Sequence, residues 1–470
     1  MKKQKFRKEG LKQVKGITLI ALVITIIVLL ILAGVSIAVL TGKNGILTQA
    51  NDAKQATADA EKDENRKLDT VESYMKYIQS GNVNVPKLAE GMKAVYWDDS
   101  NVEKIQGKDS DFDESKWYSY VAGDNINDSK NSKWANAVTD DGSYWVWIPR
   151  YEYKVIEKET GKKAGKIEVK FIPTTQTEAD EGYKIQPAFT NGSNNQYANG
   201  EWDKEIDGIW VAKYEMSGEN ASNVNIQPGN ISTLATGNKL VSKPNVSSWR
   251  NISIGNSYLV SYNYDRNKES HLMKNSEWGA VAYLAHSQYG RNGNEITINN
   301  SSDFITGNAG STVSASQATG TTNAYNTEKG ALASTTGNIY GIYDLSGGAW
   351  ERVAAYITNN NANLKNYGSS FAYDSSKDEY IKTSTKYATV YPCDSSNSNS
   401  DTLNYNVFKG ETSNNTKRYG DAILETSTSG AGTTSWFDDY SYFPYGGNPF
   451  FLRGGGYGNG SSAEIGRAHV

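Results

Sequence analysis

The chain has 470 residues, with 48 basic against 52 acidic side chains, three histidines and one cysteine. That balance excludes an intrachain disulfide, leaves no histidine cluster for a catalytic metal, and offers no basic surplus for nucleic acid. Forty-four glycines, 31 tyrosines and 11 tryptophans against nine prolines point to a loop-rich body with many tight turns, too aromatic to stay disordered.

The first sixteen residues carry seven basic side chains and one acidic, Glu9. Ile17 to Leu40 then runs apolar without a charge. A run of that length, at about 1.5 Å per residue, matches a hydrocarbon core of about 30 Å, so it reads as a single membrane span. The basic leader holds the N-terminus in the cytoplasm and sends the acidic remainder outward, to the extracellular side. From Gly42 to Ile78, small or apolar residues at 50, 53, 57, 60, 68, 71, 75 and 78 keep a helical spacing. The helix is therefore expected to continue outward until the turn formers of Ser80 to Pro86 stop it.

The leader, Gly16 and the run Ile17-Thr-Leu-Ile-Ala-Leu-Val-Ile resemble the prepilin N-terminus of type IV pilins and pseudopilins. The resemblance implies cleavage after Gly16 by a prepilin peptidase and methylation of the new N-terminus at Ile17. Pilins carry Glu at the fifth mature position, where this chain has Ala21, which counts against bulk filament assembly.

Residues 81–135 read as a polar connector. A domain over 136–464 follows. Its first strands are expected at Tyr144-Trp-Val-Trp-Ile-Pro-Arg-Tyr-Glu-Tyr-Lys-Val and at Ile209-Trp-Val-Ala-Lys-Tyr-Glu-Met. A hairpin or insertion fills Glu157 to Gly200, a short helix with an apolar face covers Leu272 to His286, and a polar excursion runs from Asn294 to Asn338.

Two later segments, Gly337-Asn-Ile-Tyr-Gly-Ile-Tyr-Asp-Leu-Ser-Gly-Gly-Ala-Trp-Glu and Phe451-Leu-Arg-Gly-Gly-Gly-Tyr, resemble signatures of formylglycine-generating enzyme (sulfatase-modifying factor) domains. The strand at Trp210 resembles the early strand of that family. The resemblance spans roughly 144 to 465. The expected fold class is therefore α+β: a long N-terminal transmembrane helix over 17–80, followed by a loop-rich, C-type-lectin-like domain. Gly347, Gly348, Trp350, Glu351, Arg453, Gly454 and Gly455 form its structural motif, in which Asp344, Glu351 and Arg453 are read as internal pairs.

Enzymes of that family use a cysteine pair for copper, or several histidines for iron. This chain has only Cys393, with His271, His286 and His469 far apart, so a non-enzyme without catalytic metal is expected. Structural calcium, held in some relatives near the Trp-Glu motif, is left open because Gly348 replaces the usual Asn. The same fold serves as a binding scaffold in the variable proteins of diversity-generating retroelements. The aromatic and Asn-rich stretch from Ser435 resembles their variable region. Its expected ligand-binding residues are Trp436, Phe437, Asp438, Tyr440, Tyr442, Tyr445, Asn448, Phe450, Tyr457 and Asn459.

The function read from the sequence is thus a membrane-anchored receptor or adhesin for a surface protein or glycan, with the membrane and a prepilin peptidase as further partners and no nucleic acid. A minor pilin with a structural tip domain and a sulfatase-modifying-type enzyme are the alternatives. The final IGRAHV spells the translation of a common sequencing-adapter start, so 465–470 is expected to be foreign and the domain truncated.

Overall fold

The computed structural model describes residues 22–31, 53–55, 57, 84–123, 131–158, 165–219, 240–250, 252–311, 322–393, 418–423, 425, 444 and 447–458. The chain divides into two compact units, Met1–Asn82 and Val83–Val470.

In the first unit residues 22–31 are helical. Ten residues at 1.5 Å each cover about 15 Å, half of a hydrocarbon core. No helix among the described residues is long and apolar enough to cross a membrane. This corrects the expected transmembrane helix over 17–80, and with it the single-pass membrane placement and the extracellular body inferred from it. The processing residues Gly16 and Ile17 lie outside the described residues.

The second unit is built mainly of strands. In chain order they are β1 (Met92–Trp97), β2 (Glu103–Ile105), β3 (Asn136–Thr139), β4 (Tyr144–Pro149), β5 (Tyr151–Glu157), β6 (Lys166–Phe171), β7 (Lys184–Ile185), β8 (Gly208–Ala212), β9 (Met216–Gly218), β10 (Leu240–Ser242), β11 (Glu351–Ile357), β12 (Tyr373–Asp374), β13 (Glu379–Tyr380), β14 (Thr389–Tyr391) and β15 (Phe450–Arg453). Three short helices, α1 (Ile254–Tyr262), α2 (Asn275–Ala285) and α3 (Ala362–Gly368), accompany them. The expected α+β class with a dominant long helix is corrected to mostly β with few helices. The cause lies in the sequence: Gly, Asn, Asp and Ser recur within a few residues of each other through the body, so helices cannot lengthen. The longest described one, α2, has 11 residues.

The principal sheet is antiparallel with strand order β2-β1-β3-β4-β8. Residues 81–135, expected to be a connector, supply its strands β1 and β2, so the domain begins well before 136. Met92-Lys-Ala-Val-Tyr-Trp ends in four consecutive apolar residues, all buried, as suits a strand covered on both faces. The expected single strand from Tyr144 breaks into β4 and β5 at Arg150, which is fully buried. Its guanidinium reaches Glu205 at 2.5 Å and donates to the Phe189 carbonyl at 2.6 Å.

Strand alternation fixes the core. Val146 and Ile148 of β4 and Val211 of β8 face a large apolar cluster with Tyr151, Tyr153, Ile167 and Val169 of the β5–β6 hairpin, Trp278, Val281 and Leu284 of α2, and Val353 and Ile357 of β11. All eleven residues of α2 are buried, as suits a helix apolar on most of its circumference. Its start is held by Glu277, whose carboxylate accepts from the Lys274 N–H at 2.8 Å. A second cluster holds Ile254, Tyr356, Leu364, Phe371 and Phe450.

Lys213, just past β8, is fully buried. Its Nζ donates to Asn136 Oδ1 at 2.8 Å, the Ile339 carbonyl at 2.5 Å and the Gly341 carbonyl at 2.9 Å. Three ammonium protons thus meet three acceptors. Burial pushes its pKa well below the ordinary lysine range.

Candidate ligand-binding cleft

The alternate face of β4 is also aromatic. Trp145 and Trp147 point away from Val146 and Ile148, and the register sets Trp147 opposite Trp210 of β8. Lys213 N–H donates to the Tyr144 carbonyl and Arg150 N–H to the Asp207 carbonyl. Trp147 and Trp210 therefore form a non-hydrogen-bonded pair, where side chains approach closest. Their ring centroids are 5.3 Å apart. Trp210 is half-buried and anchored by its indole N–H, which donates to the Lys87 carbonyl at 2.8 Å. At Gly208 a Cβ would lie 2.5 Å from the Trp147 ring and 2.4 Å from the Ile148 carbonyl. Only glycine lets this strand pass the indole.

Facing these indoles is the segment that follows α1. Tyr264 packs on Trp145 with centroids 5.4 Å apart. Trp202 closes one end, its ring edge-on to His271 at 5.1 Å. Together these groups border a cavity of about 540 Å³, also lined by Lys204, Asp265, Asn267, Lys268, Glu269 and Glu277. The volume falls within the range of small-ligand pockets.

Most of the charges around this cavity are paired; Lys204 is exposed, with no ion pair among the described residues. His271 Nδ1 donates to the Glu269 carbonyl at 2.7 Å, and Nε2 faces the Glu277 carboxylate at 2.9 and 3.0 Å. Both ring nitrogens thus meet oxygen acceptors. Lys274 Nζ lies 3.3 Å from Glu277 and 4.0 Å from the Trp202 ring centroid. Burial alone would raise the Glu277 carboxyl; His271 and Lys274 more than offset it and hold it at about 2. Burial lowers the Lys274 ammonium, against the pull of Glu277. Asp265 is ion-paired with Lys268, and Glu269 with Lys386 at 2.8 Å. Such a cleft offers flat apolar faces, hydrogen-bonding edges and little uncompensated charge. Among the described residues, no group of three or more His, Cys, Asp or Glu side chains is placed to hold a metal ion.

None of the cleft's lining residues belongs to the site expected from the sequence. Trp436, Phe437, Asp438, Tyr440, Tyr442, Tyr445 and Asn459 are outside the described residues. Asn448 and Tyr457 are half-buried. Phe450, expected on the ligand surface, is 2% exposed and packs with Tyr356 and Phe371. That corrects its assignment: β15 is an inner partner of β11, and its alternation turns Phe450 into the core. Leu452, in the same strand paired with β11, is half-buried.

The motif residues are brought together. Glu351 sits opposite Arg453 in the β11–β15 pair, and the Gly347 N–H donates to the Gly454 carbonyl at 3.1 Å. Tyr457 N–H donates to the Gly348 carbonyl, and its ring packs on Phe304 at 4.7 Å. Gly347, Gly348, Gly454 and Gly455 all have positive φ. Arg453, 1% exposed, donates to Asn275 Oδ1 at 3.2 Å and the Asp421 carbonyl at 2.8 Å, over the Trp278 ring. Trp350 is 40% exposed. Asp344 is buried, accepting from Gly307 N–H and Asn299 Nδ2, and burial raises it to about 6. Its neighbour Glu215 is raised well above the ordinary range by burial and then by Asp344. His286 is fully buried and held down at about 3 by burial and then by Arg291.

The cleft residues were within reach of the sequence. Indoles at 145 and 147 alternate with Val146 and Ile148, so both faces of β4 must be covered, and only one can face the main core. No protein-family model matches the chain, and no curated protein matches it.

Proposed function

We propose that the second unit is a ligand-binding module and that its ligand occupies the tryptophan-walled cleft. The observation that carries this is the convergence of half-buried Trp145, Trp210 and Tyr264, backed by the buried rings of Trp147 and Trp202, on one cavity. Aromatic anchors of this kind supply large contact area with few rotatable bonds. Binding is favoured over acid–base catalysis because the ionisable pair inside the cleft, His271 and Glu277, is engaged with itself and with Lys274.

The test is calorimetric titration of the full chain with soluble neutral oligosaccharides and synthetic peptides, alongside acrylamide quenching of indole fluorescence. A bound ligand is expected to shield the indoles. Trp210→Ala is expected to cost about 2 kcal/mol of affinity, roughly thirtyfold in Kd, with the far-ultraviolet dichroism unchanged. Ligands that bind without shielding, and with equal affinity for Trp210→Ala, would move the site elsewhere.

A further inference from the structure

The geometry points to an extended peptide of a partner chain as the ligand, paired as an added strand along the free edge of β8; this rests on the cleft reading above. The bonded pairs between β4 and β8 are set by the Lys213–Tyr144 and Asp207–Arg150 contacts. Antiparallel pairing alternates, so Val211 and Ile209 bond to β4, while Gly208, Trp210 and Ala212 turn their N–H and C=O groups the other way. β8 is the last strand of its sheet. Among the described residues nothing hydrogen-bonds those outward main-chain groups, and all five β8 residues border the cavity.

Proteins ordinarily guard such an edge with charge, proline, a bulge or a covering segment. Gly208-Ile-Trp-Val-Ala has no charge and no proline, and its pairing with β4 runs without a bulge. The edge instead opens on a cavity walled by indoles. That combination matches strand addition, in which main-chain bonds give affinity and alternate side chains enter pockets. The cavity's carboxylates are already paired, Glu277 with Lys274, Asp265 with Lys268 and Glu269 with Lys386, and the lining Lys204 is exposed to solvent. The peptide is therefore uncharged at its centre and apolar at the alternate positions that face the indoles.

The experiment pans a phage-displayed library of short linear peptides on the full chain, then remakes an enriched peptide synthetically. Amide exchange is followed with and without it. The expected result is enrichment of sequences with apolar alternation, and slowing of Trp210 amide exchange by roughly tenfold or more. N-methylation at alternate peptide nitrogens in one phase should abolish binding; in the other phase it should not. Equal effects in both phases, or binding without protection of Trp210, overturns the inference. If N-acetylchitotriose or maltotriose shields the indoles and no peptide does, the peptide inference falls while the cleft reading stands. If neither class shields them, both fall.

Discussion

Glu277→Gln removes the one negative charge that His271 and Lys274 share. Holding a buried carboxyl at about 2, against its ordinary value near 4.5, corresponds to about 3 kcal/mol of folding stability. The sign follows from the depressed value. The contribution is fully present above about pH 4.5 and is lost as the pH falls toward about 2. Wild type and Glu277→Gln should therefore differ by about 3 kcal/mol at pH 7, with the variant weaker because Lys274 stays buried without its counter-charge. The gap should close as the pH falls through that window, since protonated Glu resembles Gln. Urea unfolding followed by tryptophan fluorescence at pH 7, 5, 4 and 3 measures it, and taking the difference cancels the other carboxylates. A gap that stays constant with pH, or no gap at pH 7, would refute the reasoning.

Lys213→Met should destabilise the fold by several kcal/mol, because three buried acceptors lose their donor at roughly 1–3 kcal/mol each; thermal unfolding reads this directly. Glu215→Gln should act in the opposite direction. Its carboxyl is raised, so the charged form weighs against folding as the pH rises above the ordinary range. Melting temperatures of wild type and Glu215→Gln between pH 5 and 8 should diverge, the variant being increasingly the more stable.

The alternating aromatic runs made β4 and β8 legible as strands, and Leu272 to His286 showed its helix. The break at Arg150 was not legible, because nothing local marks a buried arginine at a chain corner; its partners Glu205 and Phe189 come from distant turns. The motifs Gly337 to Glu351 and Phe451 to Tyr457 stand out as glycine patterns, and five of their seven glycines adopt positive φ. Trp145 and Trp147 make the near wall of the cleft legible; its far wall, Tyr264 to His271, is not, because it is an irregular segment whose position depends on α1 and α2. Phe450 was misplaced for the converse reason. An aromatic-rich stretch looks the same whether its rings face a ligand or a core, and only its pairing with β11 tells them apart.

That pairing also orders assembly in time. β4 joins β3, and β5 joins β6, through segments close in the chain. Glu351 must wait for Arg453, about a hundred residues later, before β11 gains its antiparallel neighbour. Closing so long a loop is entropically unfavourable before its contacts form, so this step comes late. Until it does, β11 carries an open edge beside Val353 and Ile357. Chains halted before Phe450 would keep that edge open and self-associate through it, while those carried past Arg453 would not.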